Sequence, residues 1–184
     1  MAAFVAALIV QASDRTPWLV VRLAGQFGRA LTVGVVAILA IALTNAVGAF
    51  AGVVVAPMLT PNARALLLGF ALVSAGIPAF LPLKPVKAMG GDRFGLVATT
   101  LVVMLAAGMG DRTQFLTAAI AVRGDLPVFA IIGATLGSGA VVVAAATAGE
   151  EVLRKMPLTA IRVGAGVVLT IVGVFSALSA LRLI

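Results

Sequence analysis

Gly108-Met109-Gly110-Asp111-Arg112-Thr113-Gln114 sets an acid beside a base inside a stretch, residues 94–121, that is otherwise almost wholly apolar. A charged side chain at the centre of a bilayer costs about 2.5–3.5 kcal/mol on insertion scales, so such groups face a packed interior or a watery cavity and not lipid. Asp111 is a functional candidate on that cost alone. The same triplet recurs as Asp14-Arg15-Thr16 within the first apolar stretch. Two copies of one costly feature call for a common explanation.

The setting is a membrane. The chain is 62% hydrophobic and 10% charged with a mean hydropathy of +1.24, whereas a soluble domain is about 25% charged. Its 13 Lys and Arg against 6 Asp and Glu give a net charge of +7. These bases stand singly at the ends of apolar runs, without a basic cluster or many aromatics, so they orient the chain in a bilayer and no nucleic-acid partner is expected. With no Cys and no His, any metal must be held by oxygen, which favours hard cations such as magnesium, calcium or manganese. There is no nucleophile and base pair and no phosphate loop, so neither an enzyme nor a resident cofactor is expected. The apolar start, residues 2–10, has no preceding base and runs into Asp14 and Arg15 instead of a small-residue cleavage site, which predicts that it is retained and is not a secretory leader.

A spanning helix needs about 20 mostly apolar residues. Six runs qualify: residues 3–23, 31–54, 65–83, 94–121, 127–148 and 158–181. They are continuous and do not alternate, which predicts an all-α membrane protein and disfavours a barrel. Arg22, Arg29, Lys84, Lys87, Arg93, Arg154, Lys155 and Arg162 fall at the odd-numbered connections, against Arg64, Arg123 and Arg182 elsewhere. That bias places the odd connections in the cytoplasm and both termini outside it; the short chain suits a bacterial inner membrane.

The two triplets are 97 positions apart, and the same offset carries Gly52 onto Gly149, Gly69 onto Gly166 and Gly76 onto Gly173, together with Val5 onto Val102, Leu8 onto Leu105, Leu19 onto Leu116, Ala24 onto Ala121 and Ala63 onto Ala160. Apolar coincidences are cheap in such a chain, but four Gly or Asp positions sharing one offset across three helices are not. Residues 1–83 and 94–184 thus read as two three-helix repeats joined by a cytoplasmic linker, 84–93, within one membrane domain. Three spans per repeat is odd, so the expected fold is six transmembrane helices as two inverted repeats, an arrangement of transporters whose binding site lies near the midplane.

With one motif on the first helix of each repeat, the chain resembles the cation/proton exchangers of Golgi, thylakoid and bacterial membranes known as the GDT family, relatives of the lysine-exporter superfamily. Their pattern is E-x-G-D-[KR]-[ST] in both halves; here it reads Gln11-Ala12-Ser13-Asp14-Arg15-Thr16 and Gly108-Met109-Gly110-Asp111-Arg112-Thr113. The resemblance covers nearly the whole chain and implies manganese or calcium transport against protons, with the motif acids as ligands. Both family glutamates are missing, Gln11 and Gly108 standing in their places. Positions three apart share a helix face, so the family pattern gathers four acids and two bases. Here two acids meet two bases and the sum is zero, which predicts weak binding of a dication because ligand charge tunes affinity.

Neutral oxygens remain. The expected metal ligands are Asp14, Asp111, Gln11, Thr16, Thr113 and Gln114, with Ser13, Thr44 and Asn45 as secondary polar candidates. Pro17 lacks an N–H and so deprives the Ser13 carbonyl of its helical donor, while Gly108 and Gly110 loosen the second motif helix; broken helices at a midplane site offer carbonyls to ions. Arg15 and Arg112 are expected to hold the carboxylates and gate access. Neighbours on a helix point about 100° apart, so Asp14 should meet Arg112 and Asp111 should meet Arg15 across the repeats. Thr135 and Ser138, among Gly133, Gly137 and Gly139, mark close helix packing. Glu150 and Glu151 with Arg154 and Lys155 read as a solvated face, as do Asp92 and Asp125. The expected function is a divalent-cation/proton exchanger whose partners are the bilayer, the transported cation and protons; a homo-oligomer is compatible with this. Two alternatives stay open: a transporter of an organic or zwitterionic solute on the same fold, and a non-transporting protein whose charges only pair its helices.

Overall fold

The structure, a computed structural model, describes residues 1–81, 94–124 and 126–183. The expected linker 84–93, with Lys84, Lys87, Asp92 and Arg93, lies outside the described residues, as does Asp125. Among the described residues every regular element is helical: α1 Ala2–Ala12, α2 Thr16–Phe27, α3 Ala30–Val55, α4 Pro61–Gly76, α5 Gly95–Gly108, α6 Arg112–Arg123, α7 Pro127–Lys155 and α8 Leu158–Ala180. Four helical stretches are long and apolar enough to cross a membrane, and α1 with α2 and α5 with α6 raise the number to six if each bent pair is one span.

The bent pairs revise the sequence reading. Residues 3–23 and 94–121 were each expected to form one helix, yet α1 meets α2 at 68° and α5 meets α6 at 64°. At the first break Pro17 sits in the opening turn of α2, where its missing N–H is harmless and its fixed φ suits a helix start. At the second, Gly110 has a φ of +76°, a conformation that a Cβ would strain. Packing then holds the bends. Val20, Leu23 and Ala24 of α2 and Met104 of α5 join α3 and α7 in one core cluster. Val10 of α1 and Leu116 and Ala119 of α6 join α4 and α8 in another. Each bent pair therefore contributes one arm to each cluster.

The remaining elements depart less from expectation. The third span starts earlier, at Pro61, with Thr60 Oγ1 accepting a hydrogen bond from the Ala63 N–H at 3.3 Å, an N-cap ahead of a proline. Arg64 reaches back to the carbonyls of Leu59 (3.2 Å) and Ala56 (2.9 Å), closing the turn between α3 and α4. The fifth span ends where expected, because Gly149 breaks helical geometry at φ +78°; the turn beyond it carries the exposed pairs Glu150–Arg154 and Glu151–Lys155, each at 2.7 Å.

Glycines set the interhelical seams. A Cβ on Gly69 would lie 2.8 Å from the Gly173 carbonyl and one on Gly173 2.9 Å from that of Gly69. Gly76 and Gly166 stand in the same relation, at 2.9 and 3.0 Å. Contacts that run 69 with 173 and 76 with 166 make α4 and α8 antiparallel. Likewise Gly34 packs on Val143 and Gly139 on Ile38, so α3 and α7 are antiparallel. By contrast, Gly48 and Gly52 of α3 pack on Gln114 and Ala118, and Gly133 and Gly137 of α7 on Ala3 and Phe4, so each bent pair runs alongside a long helix of the other half. The long helices turn apolar stripes outward, Leu31, Val35, Leu39 and Leu43 on α3 and Val168, Ile171, Val172 and Phe175 on α8, as a lipid-facing surface requires.

Candidate functional site

The breaks bring residues from both halves together. At the first, both oxygens of Asp14 are engaged: Oδ1 accepts from Arg112 Nη2 in an ion pair between the halves, and Oδ2 accepts from Thr16 Oγ1 at 2.6 Å. Arg112 Nη1 also donates to the Ala75 carbonyl on α4 at 3.1 Å, so a third element fixes the guanidinium. The other expected pair does not form. Arg15 is exposed and makes no ion pair among the described residues. Arg15 is the N-cap residue of α2, and that position leaves it on the surface.

Asp111 works locally. It is the N-cap of α6, its Oδ2 accepting from the Thr113 N–H at 3.5 Å. Gln114 braces the same turn, accepting from the Gly110 N–H at 2.7 Å and donating from Nε2 to the Thr44 carbonyl of α3 at 3.1 Å. Thr113 Oγ1 donates to Gln11 Oε1 at 3.4 Å, linking the two breaks directly. Behind them Asn45 accepts from Thr117 Oγ1 at 3.2 Å and donates from Nδ2 to Thr135 Oγ1 at 3.3 Å, tying α3 to α6 and α7.

These groups enclose a cavity of about 20 Å³ lined by Gln11, Thr16, Thr44, Asn45, Asp111, Thr113 and Gln114, with Ile41, Met104 and Gly108 as apolar wall. About one water-sized probe sphere occupies 10–15 Å³, so the space suits a single water or a small ion. Of the expected ligands, five line it. Asp14 does not, although its partner Thr16 does, and Ser13 turns away to donate to the Val10 carbonyl at 2.8 Å. Thr44 and Asn45 line it while also serving the helix packing. Thr117 was missed by the sequence reading; its position one turn after Thr113 was the available signal.

Asp14 faces a second space. A cavity of about 320 Å³ runs between α2, α7 and α8, lined by Asp14, Pro17, Trp18, Ala144, Ala148 and Arg162 among others. It lies at the end of the bundle where α2 meets α3 and α7 meets α8. Arg162 was counted as a connection charge, but it is only 8% exposed and donates to the Leu81 carbonyl. Asp14 thus lines this vestibule, while its hydrogen-bond partner Thr16 lines the small polar cavity. Among the described residues no cluster of three or more acids is placed to hold a metal ion.

A small polar cavity at two helix breaks within a multi-pass membrane protein is an arrangement found in membrane transport proteins. Residues 96–183 match the family model described as divalent cation/proton antiporter GDT1. Asp111, Arg112, Thr113 and Gln114 fall inside the matched segment; the first motif lies outside it. The matched family is one of membrane transporters. No curated protein and no solved structure matches the chain.

Proposed function

We propose that this protein is a proton-coupled cation antiporter whose two halves are inverted three-helix repeats enclosing one transport site at their paired breaks. The inverted arrangement is supported by the crossed glycine contacts: positions 69 and 76 become 166 and 173 under the 97-residue offset, and each touches the counterpart of the other. Such reciprocity, residue i meeting j and the counterpart of j meeting the counterpart of i, is what a two-fold relation produces. The observation that carries the function is the small cavity at the junction of both breaks, where Asp111 is the one carboxylate.

In this reading Asp111 exchanges its proton for the cation. Gln11, Thr16, Thr113 and Gln114 supply neutral oxygens, assisted by Thr44 and Asn45. Asp14 and Arg112 hold the halves together and separate the site from the vestibule, so that breaking their pair opens it. Manganese and calcium are the ions that the motif resemblance implies. The odd-numbered connections face the cytoplasm of a bacterium, and the vestibule opens on that side. The experiment is cation-driven proton movement in proteoliposomes, with a panel of mono- and divalent ions and a pH-sensitive dye inside. Flux is expected in the wild type and its loss, by about 100-fold or more as for removal of an essential transferring group, in Asp111→Asn; equal flux in the variant would remove Asp111 from the mechanism.

A second reading, transport of a small zwitterionic solute, draws on the vestibule, whose otherwise apolar walls carry Asp14 and Arg162. Saturable uptake of a labelled amino acid, lost in Arg162→Gln, would favour it.

A further inference from the structure

We infer that the polar cavity selects a small monovalent cation, of sodium or lithium size, over the divalent ions for which its family is named. The inference rests on the reading that this cavity is the transport site, and its argument is the charge that the structure leaves there.

The sequence sum over two acids and two bases is zero, but the four charges are not equally placed. Arg15 lies on the outside. Asp14 is neutralised by Arg112 and has its second oxygen taken by Thr16. What faces the cavity is therefore the single negative charge of Asp111 among neutral side chains. The rest of the lining is amide, hydroxyl and apolar, and supplies no further anion.

Charge arithmetic then decides between ions. The cost of stripping water from an ion grows with the square of its charge, whereas its attraction to a fixed carboxylate or dipole grows linearly. A divalent ion thus loses about four times as much hydration as a monovalent ion of the same size and regains about twice as much from the same site. One carboxylate balances a monovalent ion and leaves a divalent one with uncompensated charge in a low-dielectric surround. The volume points the same way, since about 20 Å³ admits one bare ion without a retained shell of waters.

Gln11 is the position that sets this choice. Its Oε1 accepts from Thr113, an acceptor role that a carboxylate of the same shape also fills, so Gln11→Glu adds a second negative charge to the wall without altering its volume. Gly108 is a poorer place to add one, because a Cβ there would lie 3.0–3.1 Å from Thr44 side-chain atoms.

The test separates binding from transport. Purified protein is heated in detergent with sodium, lithium, manganese or calcium chloride, using choline chloride at matched ionic strength as the control too large for the cavity. Sodium or lithium should raise the melting temperature of the wild type and manganese and calcium should not; Asp111→Asn should abolish the rise. In Gln11→Glu the apparent affinity for manganese or calcium should increase by about tenfold or more, as ligand charge count dictates. The same ions are then used to drive proton flux in proteoliposomes. Divalent ions that stabilise and drive the wild type while sodium and lithium do neither would overturn the inference and leave the antiport reading standing. Stabilisation by sodium without any proton flux would uphold the site and overturn the antiport reading. No stabilisation by any of the four ions would overturn the inference outright.

Discussion

At the first break the aspartate has both oxygens occupied, by a guanidinium from the other half and by a threonine two residues on; at the second the aspartate caps its own helix and faces a cavity. The bases divide the same way: Arg112 is drawn inward and anchored to α4, while Arg15 points out. An identical triplet at equivalent places thus yields one charge pair between the halves and one carboxylate that lines a cavity. A duplicated motif doubles the ingredients of a site; it does not double the site.

The largest effect that would sharpen this contrast is on the pair. Asp14→Asn leaves Arg112 without its counter-charge in a partly buried position, and breaking such a pair costs about 3–5 kcal/mol; thermal unfolding in detergent should show a large loss for Asp14→Asn and little for Asp111→Asn. Equal losses would break the comparison. Thr16→Val removes the hydroxyl that donates to Asp14 at 2.6 Å and should cost about 1.5–3 kcal/mol, the range for hydrogen bonds to charged groups. The seams differ too. A Cβ on Gly48 would lie 2.9 Å from the Gln114 Cγ and closer still to its carbonyl, so Gly48→Val should cost about 1–3 kcal/mol through overpacking. The equivalent position, Ala145, lines the vestibule, and Ala145→Val should cost less by the same measurement. Smallest of all, Arg15→Gln should change stability by under about 0.5 kcal/mol, as an exposed substitution does.

Much of this was legible beforehand. Continuous apolar runs located the membrane segments, since their length and composition are set by the bilayer and not by any partner. The 97-residue offset brought Asp14 and Asp111 into one frame before any contact was known. The crossing of Asp14 with Arg112 followed from the angle between helical neighbours. The bends were not read, because Pro17 and Gly110 announce that a helix can break, while the angle is fixed by which cluster each arm packs into. Arg15 misled for the same reason: its direction depends on how α2 leaves the break. Arg162 looked like a connection charge, because its partner, the Leu81 carbonyl, lies 81 positions away in the chain. The cavity itself was out of reach, being a volume left between side chains from α1, α2, α3, α5 and α6.

The claim that the two triplets are unequal is tested most directly by a pair of double-mutant cycles on unfolding free energy, one on Asp14 with Arg112 and one on Asp111 with Arg15. A coupling above about 1 kcal/mol for the first and within about 0.5 kcal/mol of zero for the second is the predicted result, in line with contacting and non-contacting pairs. Couplings of equal size, or a larger one for Asp111 with Arg15, would contradict it.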